Sequence, residues 1–98
     1  MELHYFFIKL IPPRPDFQTT MDAEERNLMG EHLASWKKLL AENKVILFGP
    51  VLGPLGGYGA GIIQADNEAQ AWKIMANDPT IVANLQFSVE ISPMLVVH

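Results

Sequence analysis

The sequence has no cysteine, so it can form neither a disulfide framework nor a thiolate zinc site. Positive charge is also scarce: 7 Lys and Arg residues stand against 11 Asp and Glu residues, a net charge of −4. Nucleic-acid binding depends on a basic surface, so no nucleic acid is expected as a partner. No apolar run approaches the roughly 18 residues of a membrane span, and Met1-Glu2-Leu3-His4 does not begin a signal peptide. We therefore expect a cytoplasmic protein with no membrane partner.

Apolar residues make up 49% of the chain and charged residues 18%, which is typical of a globular protein. The 98 residues predict one domain spanning 1–98. A domain of this size buries only about 60–65% of the surface that its unfolded chain exposes. Self-association would therefore add useful burial.

Hydrophobic periodicity predicts four strands and two main helices. The strands are expected at 2–10, 44–48, 58–65 and 87–91, and the helices at 22–43 and 68–77, with a short turn or helical piece at 79–85. Prolines predict a loop at 11–20, and Gly49-Pro50 and Pro93 are expected to end or interrupt strands. The order β-α-β-β-α-β is that of the ferredoxin-like fold, an α+β fold with a four-stranded antiparallel sheet.

The first strand is apolar on both sides, with Leu3, Tyr5 and Phe7 on one and Phe6, Ile8 and Leu10 on the other. The two helices of this fold cover only one face of the sheet. Large exposed apolar patches are rare on monomers. We therefore expect two copies to pack sheet against sheet in a symmetric homodimer, a dimeric α+β barrel.

The same topology gathers the Pro- and Gly-rich loops at one end of the sheet, and functional residues tend to lie on such loops. His32, early in the first helix, and Asp78, at the end of the second, both fall towards this end. A carboxylate that accepts a hydrogen bond from one imidazole nitrogen makes the other a better base. His32 and Asp78 are the predicted catalytic pair. The structural alternatives are a core histidine and an aspartate that caps a helix beginning at Pro79.

Three further residues are predicted to contact a small-molecule substrate: Arg14 as an anion binder, Trp36 by stacking and Tyr58 as a hydroxyl donor. Their structural alternatives are a solvated arginine, a core tryptophan and a tyrosine packed at a sheet edge. The histidines at 4, 32 and 98 lack metal-ligand spacing, and the glycines from 53 to 61 lack the ending of a phosphate-binding loop. Neither a metal nor a cofactor is predicted.

Short motifs along nearly the whole chain together resemble those of the YCII-related family. They are FFIKLIPPRP at 6–15 with Phe17, Met21 to Glu25, His32 with Trp36 and Leu39-Leu40, FGPV at 48–51, YGAGI at 58–62, NDP at 77–79, and Glu90-Ile91 with Pro93-Met94. The resemblance implies a ferredoxin-like dimer with a histidine–aspartate site at His32 and Asp78. Relatives with an assigned reaction act on ring compounds, for example by removing chloride from a chlorinated hydroxyquinol, and the fold is similar to muconolactone isomerase.

The sequence departs from many relatives after Pro79, where it has Thr80 to Leu85 instead of an early aromatic residue and a small Ala-Gly pair. The substrate is therefore not carried over. Two functions remain as hypotheses. One is an enzyme of the lyase or isomerase type that uses His32 and Asp78 for acid–base chemistry on a cyclic or carbonyl compound. The other is a non-catalytic module that holds a small ligand or supports a partner protein.

Overall fold

The structure is a computed structural model and describes residues 4–97. Its elements, in chain order, are β1 (His4–Ile11), α1 (Phe17–Thr20), α2 (Ala23–Ala41), β2 (Val45–Val51), β3 (Tyr58–Ala65), α3 (Glu68–Ala76), α4 (Pro79–Val82) and β4 (Ser88–Met94). The predicted β-α-β-β-α-β order is confirmed, and α4 lies within the segment predicted as a short helical piece. Residues 2 and 3 of the predicted first strand lie outside the described residues.

The four strands form one antiparallel sheet in the order β2-β3-β1-β4. Alternate residues of β1, namely Phe6, Ile8 and Leu10, are buried. They share a core with Trp36 of α2 and Met75 of α3, so the helices cover this face of the sheet. The chain therefore has the ferredoxin-like α+β fold.

Both main helices begin at polar caps that the sequence predicts. The Asp22 side chain accepts a hydrogen bond from the Glu25 backbone N–H at 2.8 Å, and the Glu25 side chain accepts one from the Asp22 N–H at 3.0 Å. This reciprocal pair is the predicted capping box. At the start of α3, the Asn67 side chain accepts a hydrogen bond from the Gln70 N–H.

Two prolines lie within strands, where the sequence predicted a stop or an interruption. Pro50 is paired opposite Gly59 in β2, and Pro93 opposite Phe6 in β4. Both strands are at the edges of the sheet. An edge strand tolerates proline because the missing N–H can face away from the neighbouring strand. The loop prediction at 11–20 was also wrong in part, since Phe17 begins α1 and is buried.

The face of the sheet turned away from the helices is called the open face here. By strand alternation it carries the side chains of Tyr5, Phe7 and Ile62, which are half-buried, together with the more exposed Leu47 and Met94. Among residues 4–97, none of these five side chains belongs to the hydrophobic core or packs against it. The open face thus combines these apolar side chains with the polar ones that share it by register, namely Lys9, Gln64, Glu90 and Ser92.

Candidate functional site

His32 and Asp78 meet between α2 and the start of α4. The imidazole Nδ1 lies 2.9 Å from Oδ1 and 3.1 Å from Oδ2 of the carboxylate. The His32 side chain retains 13% of its exposure and that of Asp78 retains 2%. A carboxylate only accepts hydrogen bonds, so Nδ1 carries the proton and donates it to Asp78.

The Asp78 carboxylate has further donors besides His32. It caps α4 by accepting a hydrogen bond from the Thr80 N–H at 3.0 Å, and the Thr80 hydroxyl also donates to it. The Trp36 indole Nε1–H donates to Oδ1 at 2.6 Å. These donors occupy the lone pairs of both oxygens, so Asp78 is held in place and is not free to contact a ligand. The capping role and the histidine-orienting role therefore coexist.

The environment of Asp78 favours its ionised form. Burial is the largest single influence and by itself raises the pKa of the carboxyl. Hydrogen bonds from His32 and Thr80, the positive charge available on His32 and the Trp36 hydrogen bond together outweigh burial and hold the pKa of Asp78 below its ordinary value. The carboxylate is therefore a fixed negative charge beside the imidazole.

The other imidazole nitrogen, Nε2 of His32, has no hydrogen-bond partner within residues 4–97. In the same part of the chain no buried side-chain nitrogen or oxygen lacks a partner, so Nε2 is open to solvent. His32 lines a cavity with a volume of about 310 Å³. The proton-accepting nitrogen is therefore accessible from this cavity.

The cavity lies between α2 and the loop end of the sheet, and its walls are mainly apolar. Four aromatic side chains, Phe17, Trp36, Phe48 and Phe87, are among the lining residues. The lining residues include no Asp, Glu, Lys or Arg, and besides His32 the polar side chains among them are those of Gln18 and Tyr58. Gln18, whose amide packs beside Gly57, was not predicted, because a single glutamine belongs to no motif that marks a site. Such a site suits an uncharged, largely apolar ligand with a few polar groups.

Trp36 connects the core to the site. Its ring centroid lies 5.6 Å from that of His32 and 5.5 Å from that of Phe48. The indole also rests on Gly61 of β3, where a Cβ atom would fall 2.4 Å from Cζ3 of the ring. The predicted stacking residue thus lines the cavity, but it also performs a task that the sequence did not reveal, the hydrogen bond to Asp78.

Arg14 is not brought to the cavity with the other predicted residues. Its guanidinium donates to both Glu25 carboxylate oxygens, at 2.8 and 2.9 Å, and to the Thr20 hydroxyl and carbonyl, each at 2.7 Å. The hydrogen bond from Arg14, followed by that from the Asp22 N–H, lowers the pKa of Glu25 to about 2. The Arg14 guanidinium therefore ties the β1–α1 loop to α2, and Arg14 is not among the residues that line the cavity.

Tyr58 is among the cavity-lining residues, and its ring also packs against a lysine side chain of β1. The Lys9 Nζ lies 4.6 Å from the centroid of the Tyr58 ring. Lys9 and Tyr58 alternate with Leu10 and Gly59 along their strands, so their side chains belong to the open face.

The strand order and the helix placement define the class of protein, a ferredoxin-like domain with a cavity at its loop end. The YCII-related domain matches residues 5–95, and the chain belongs to this family. The fold is similar to the solved structure of 5-chloro-2-hydroxyhydroquinone dehydrochlorinase from Burkholderia phenoliruptrix AC1100 in complex with 2,5-dihydroxybenzoquinone. That match has a TM-score of 0.58 and 23% identity and covers 87% of this chain and 90% of the other. No curated protein matches the chain.

Among residues 4–97, no group of three or more His, Asp or Glu side chains is arranged to hold a metal ion. In the same residues, no helix combines the length and the apolar character needed to cross a membrane.

Proposed function

We propose that the protein is a small-molecule enzyme in which His32 is the general base and Asp78 is its positioning residue. The observation that carries this proposal is that the two imidazole nitrogens have different surroundings. Nδ1 is bonded to a buried carboxylate, while Nε2 is open to the cavity. General acid–base assistance of this kind contributes about 10²–10⁴-fold to a rate.

In the proposed reaction, Nε2 removes a proton from a ring hydroxyl or an acidic C–H group. The imidazolium that forms keeps its Nδ1–H bonded to the Asp78 carboxylate, which stabilises the positive charge. The electron pair left on the substrate then either expels an anionic leaving group or accepts the proton back from Nε2 at another carbon. The first course is an elimination and the second an isomerisation, and each is balanced without a cofactor.

The substrate class follows from the cavity walls and from the similar protein. A site lined by five Phe, Trp or Tyr residues and by no Asp, Glu, Lys or Arg favours a small, uncharged ring compound over a carboxylate or phosphate. The similar dehydrochlorinase is named for a chlorinated hydroxyhydroquinone and is bound to a dihydroxybenzoquinone. Hydroxylated and halogenated rings are therefore the first compounds to test.

The active form is proposed to be a homodimer that packs open face against open face. The support is the apolar character of Tyr5, Phe7, Leu47, Ile62 and Met94, together with the small size of the protomer. The helix-covered face, which contains His32, stays free in this arrangement.

The proposal is tested with a panel of hydroxyquinols, chlorinated hydroxyquinols and lactones, assayed with the native protein, with His32→Ala and with His4→Ala. His4 is exposed on β1 and serves as the matched control. We expect native turnover that His32→Ala lowers by about 10²–10⁴-fold and that His4→Ala leaves unchanged. Turnover that survives the loss of His32 removes it from the mechanism.

A non-catalytic binding module is the second candidate function. The observation in its favour is that Asp78 caps α4 and therefore has a structural reason to be there. For such a module, a ring compound binds the native protein and His32→Ala with similar affinity, and neither protein converts it.

A further inference from the structure

Two glycines of β3, Gly59 and Gly61, lie on the helix-facing side of the sheet with one residue between them. The space above Gly61 is filled by an aromatic ring. A Cβ atom at Gly61 would fall 2.4 Å from Cζ3 and 2.9 Å from Cη2 of Trp36, so the indole rests directly on the strand backbone. The backbone of β3 at Gly61 therefore packs directly against a flat ring, and we call such a position a seat.

Gly59 holds the equivalent position in the sheet two residues earlier in β3. Gly61 is flanked across the sheet by Ile8 and Phe48, and Gly59 by Leu10 and Pro50. Two residues of an antiparallel strand advance by roughly 6.8 Å, which is a suitable spacing for two rings lying side by side.

The space above Gly59 is not filled by the protein. The atoms nearest to a Cβ atom placed there all belong to Leu10, the closest at 3.4 Å, and none comes from a helix. Gly59 lines the same cavity as His32 and Trp36. The cavity of about 310 Å³ is near the lower end of the range of roughly 300–1,000 Å³ for ligand pockets, which matches a ligand of one ring.

We propose that Gly59 is the seat of the substrate ring and that it selects planar rings over puckered ones. The ring lies flat on the Gly59 backbone, beside the Trp36 indole, with a polar edge towards His32 Nε2. A flat ring brings all its atoms to the favourable distance of about 3.5–4.0 Å from the strand, whereas a saturated ring holds some of them further away. The role of His32 in this arrangement rests on the proposed function, but the seat itself does not.

The test compares hydroquinone with cyclohexane-1,4-diol, which has the same ring size and hydroxyl positions but is puckered. Each is titrated into the native protein while the Gly59 amide and the Trp36 indole N–H are followed by NMR. We expect hydroquinone to shift both signals and to bind at least about tenfold more tightly than the diol.

Gly59→Val fills the seat, and we expect it to weaken hydroquinone binding by about tenfold or more, with Gly59→Ala intermediate. A Cβ at Gly59 makes only ordinary contacts with Leu10, so Gly59→Ala is expected to fold and keeps the test valid if Gly59→Val does not. Gly30→Ala is the matched control, because nothing lies within 4 Å of its Cβ position on α2.

Equal affinity for the two compounds, or hydroquinone binding that Gly59→Val leaves intact, overturns the inference. These outcomes are separate from the test of His32, because they measure binding and not turnover. If hydroquinone occupies the seat but His32→Ala leaves every turnover unchanged, the seat stands and the enzymatic proposal falls. If turnover depends on His32 while Gly59→Val binds hydroquinone as tightly as the native protein does, the enzymatic proposal stands and the seat falls.

Discussion

His32 Nδ1 and Asp78 Oδ1 lie 2.9 Å apart although 46 positions separate the two residues in the chain. The carboxylate is held by the first turn of α4 through Thr80 and by the core through the Trp36 indole. The interactions that begin α4 and pack α2 are therefore the same ones that orient the imidazole. This coupling makes the site sensitive to single changes in groups that no ligand touches.

Asp78→Asn is expected to lower both activity and stability. The amide keeps the shape of the carboxylate, but it has no charge to stabilise the imidazolium, and its NH₂ group meets donors from Thr80 or Trp36. One buried donor facing another costs about 1–3 kcal/mol. We expect turnover of the best panel substrate to fall by about 10²-fold or more, measured at a temperature where the variant is folded. Activity equal to the native protein would remove Asp78 from the site.

Trp36→Phe keeps an aromatic ring in the core but removes the Nε1–H donor. Asp78 then has one hydrogen bond fewer in its ionised form, so its pKa is expected to rise and the protein to lose about 1–3 kcal/mol of stability. The pKa of Asp78 is measured by carboxyl NMR, and the stability by urea unfolding.

The matched control for this change is Trp72→Phe, because Trp72 is 44% exposed on α3. We expect it to leave the Asp78 titration unchanged. If the pKa of Asp78 is the same in Trp36→Phe as in the native protein, the indole hydrogen bond does not contribute to lowering it.

Most of the architecture was predictable from local pattern. The capping box at Asp22 and Glu25 and the alternation in β1 are properties of neighbouring residues, so the order of elements and the starts of the helices could be read directly. The approach of His32 to Asp78 was predictable only as a consequence of topology, because it requires α2 and α4 to end up at the same end of the sheet.

The errors concern contacts that depend on which elements become neighbours. Pro50 and Pro93 are tolerated because their strands lie at the edges, which the sequence does not state. Nothing local in the sequence reveals that Glu25, 11 positions away, binds the Arg14 guanidinium.

Gly61→Ala is expected to destabilise the protein. The added methyl would lie 2.4 Å from Cζ3 of Trp36, and the buried indole can move only by disturbing its bond to Asp78. Overpacking of this kind costs about 1–3 kcal/mol. Gly30→Ala, on the open surface of α2, is expected to stabilise by about 0.5–1 kcal/mol. Chemical denaturation of both variants measures the difference, and equal stabilities would mean that the Trp36 indole is not packed tightly against Gly61.

The Arg14–Glu25 pair predicts a loss of stability in acid. The pKa of Glu25 is lowered from 4.5 to about 2, so between these values the unfolded chain binds a proton that the folded chain does not. The stabilising contribution is therefore complete above pH 4.5 and is lost as the pH falls towards 2. The lowered pKa of Asp78 acts in the same direction.

We expect Glu25→Gln to flatten the dependence of the unfolding free energy on pH over this range, whereas Glu24→Gln, at an exposed position of the same turn, leaves it unchanged. The measurement is urea unfolding at a series of pH values. If the unfolding free energy of Glu25→Gln depends on pH as steeply as that of the native protein, the Arg14–Glu25 ion pair does not contribute to this dependence.

The open face provides the last prediction, which concerns assembly. Ile62 lies at its centre, opposite Phe7 of β1, and is half-buried in the protomer. If two open faces pack together, Ile62→Lys brings a charge from each copy into an apolar interface, and like charges brought together there cost several kcal/mol. The fold of the protomer is expected to survive, because Ile62 is not part of its core.

Sedimentation at micromolar concentration should then show a dimer for the native protein and a dissociation constant raised by about 100-fold or more for Ile62→Lys. Leu55→Lys, at a 93% exposed position between β2 and β3, should remain dimeric. A native monomer, or a dimer that Ile62→Lys leaves intact, would mean that the open face is not the interface.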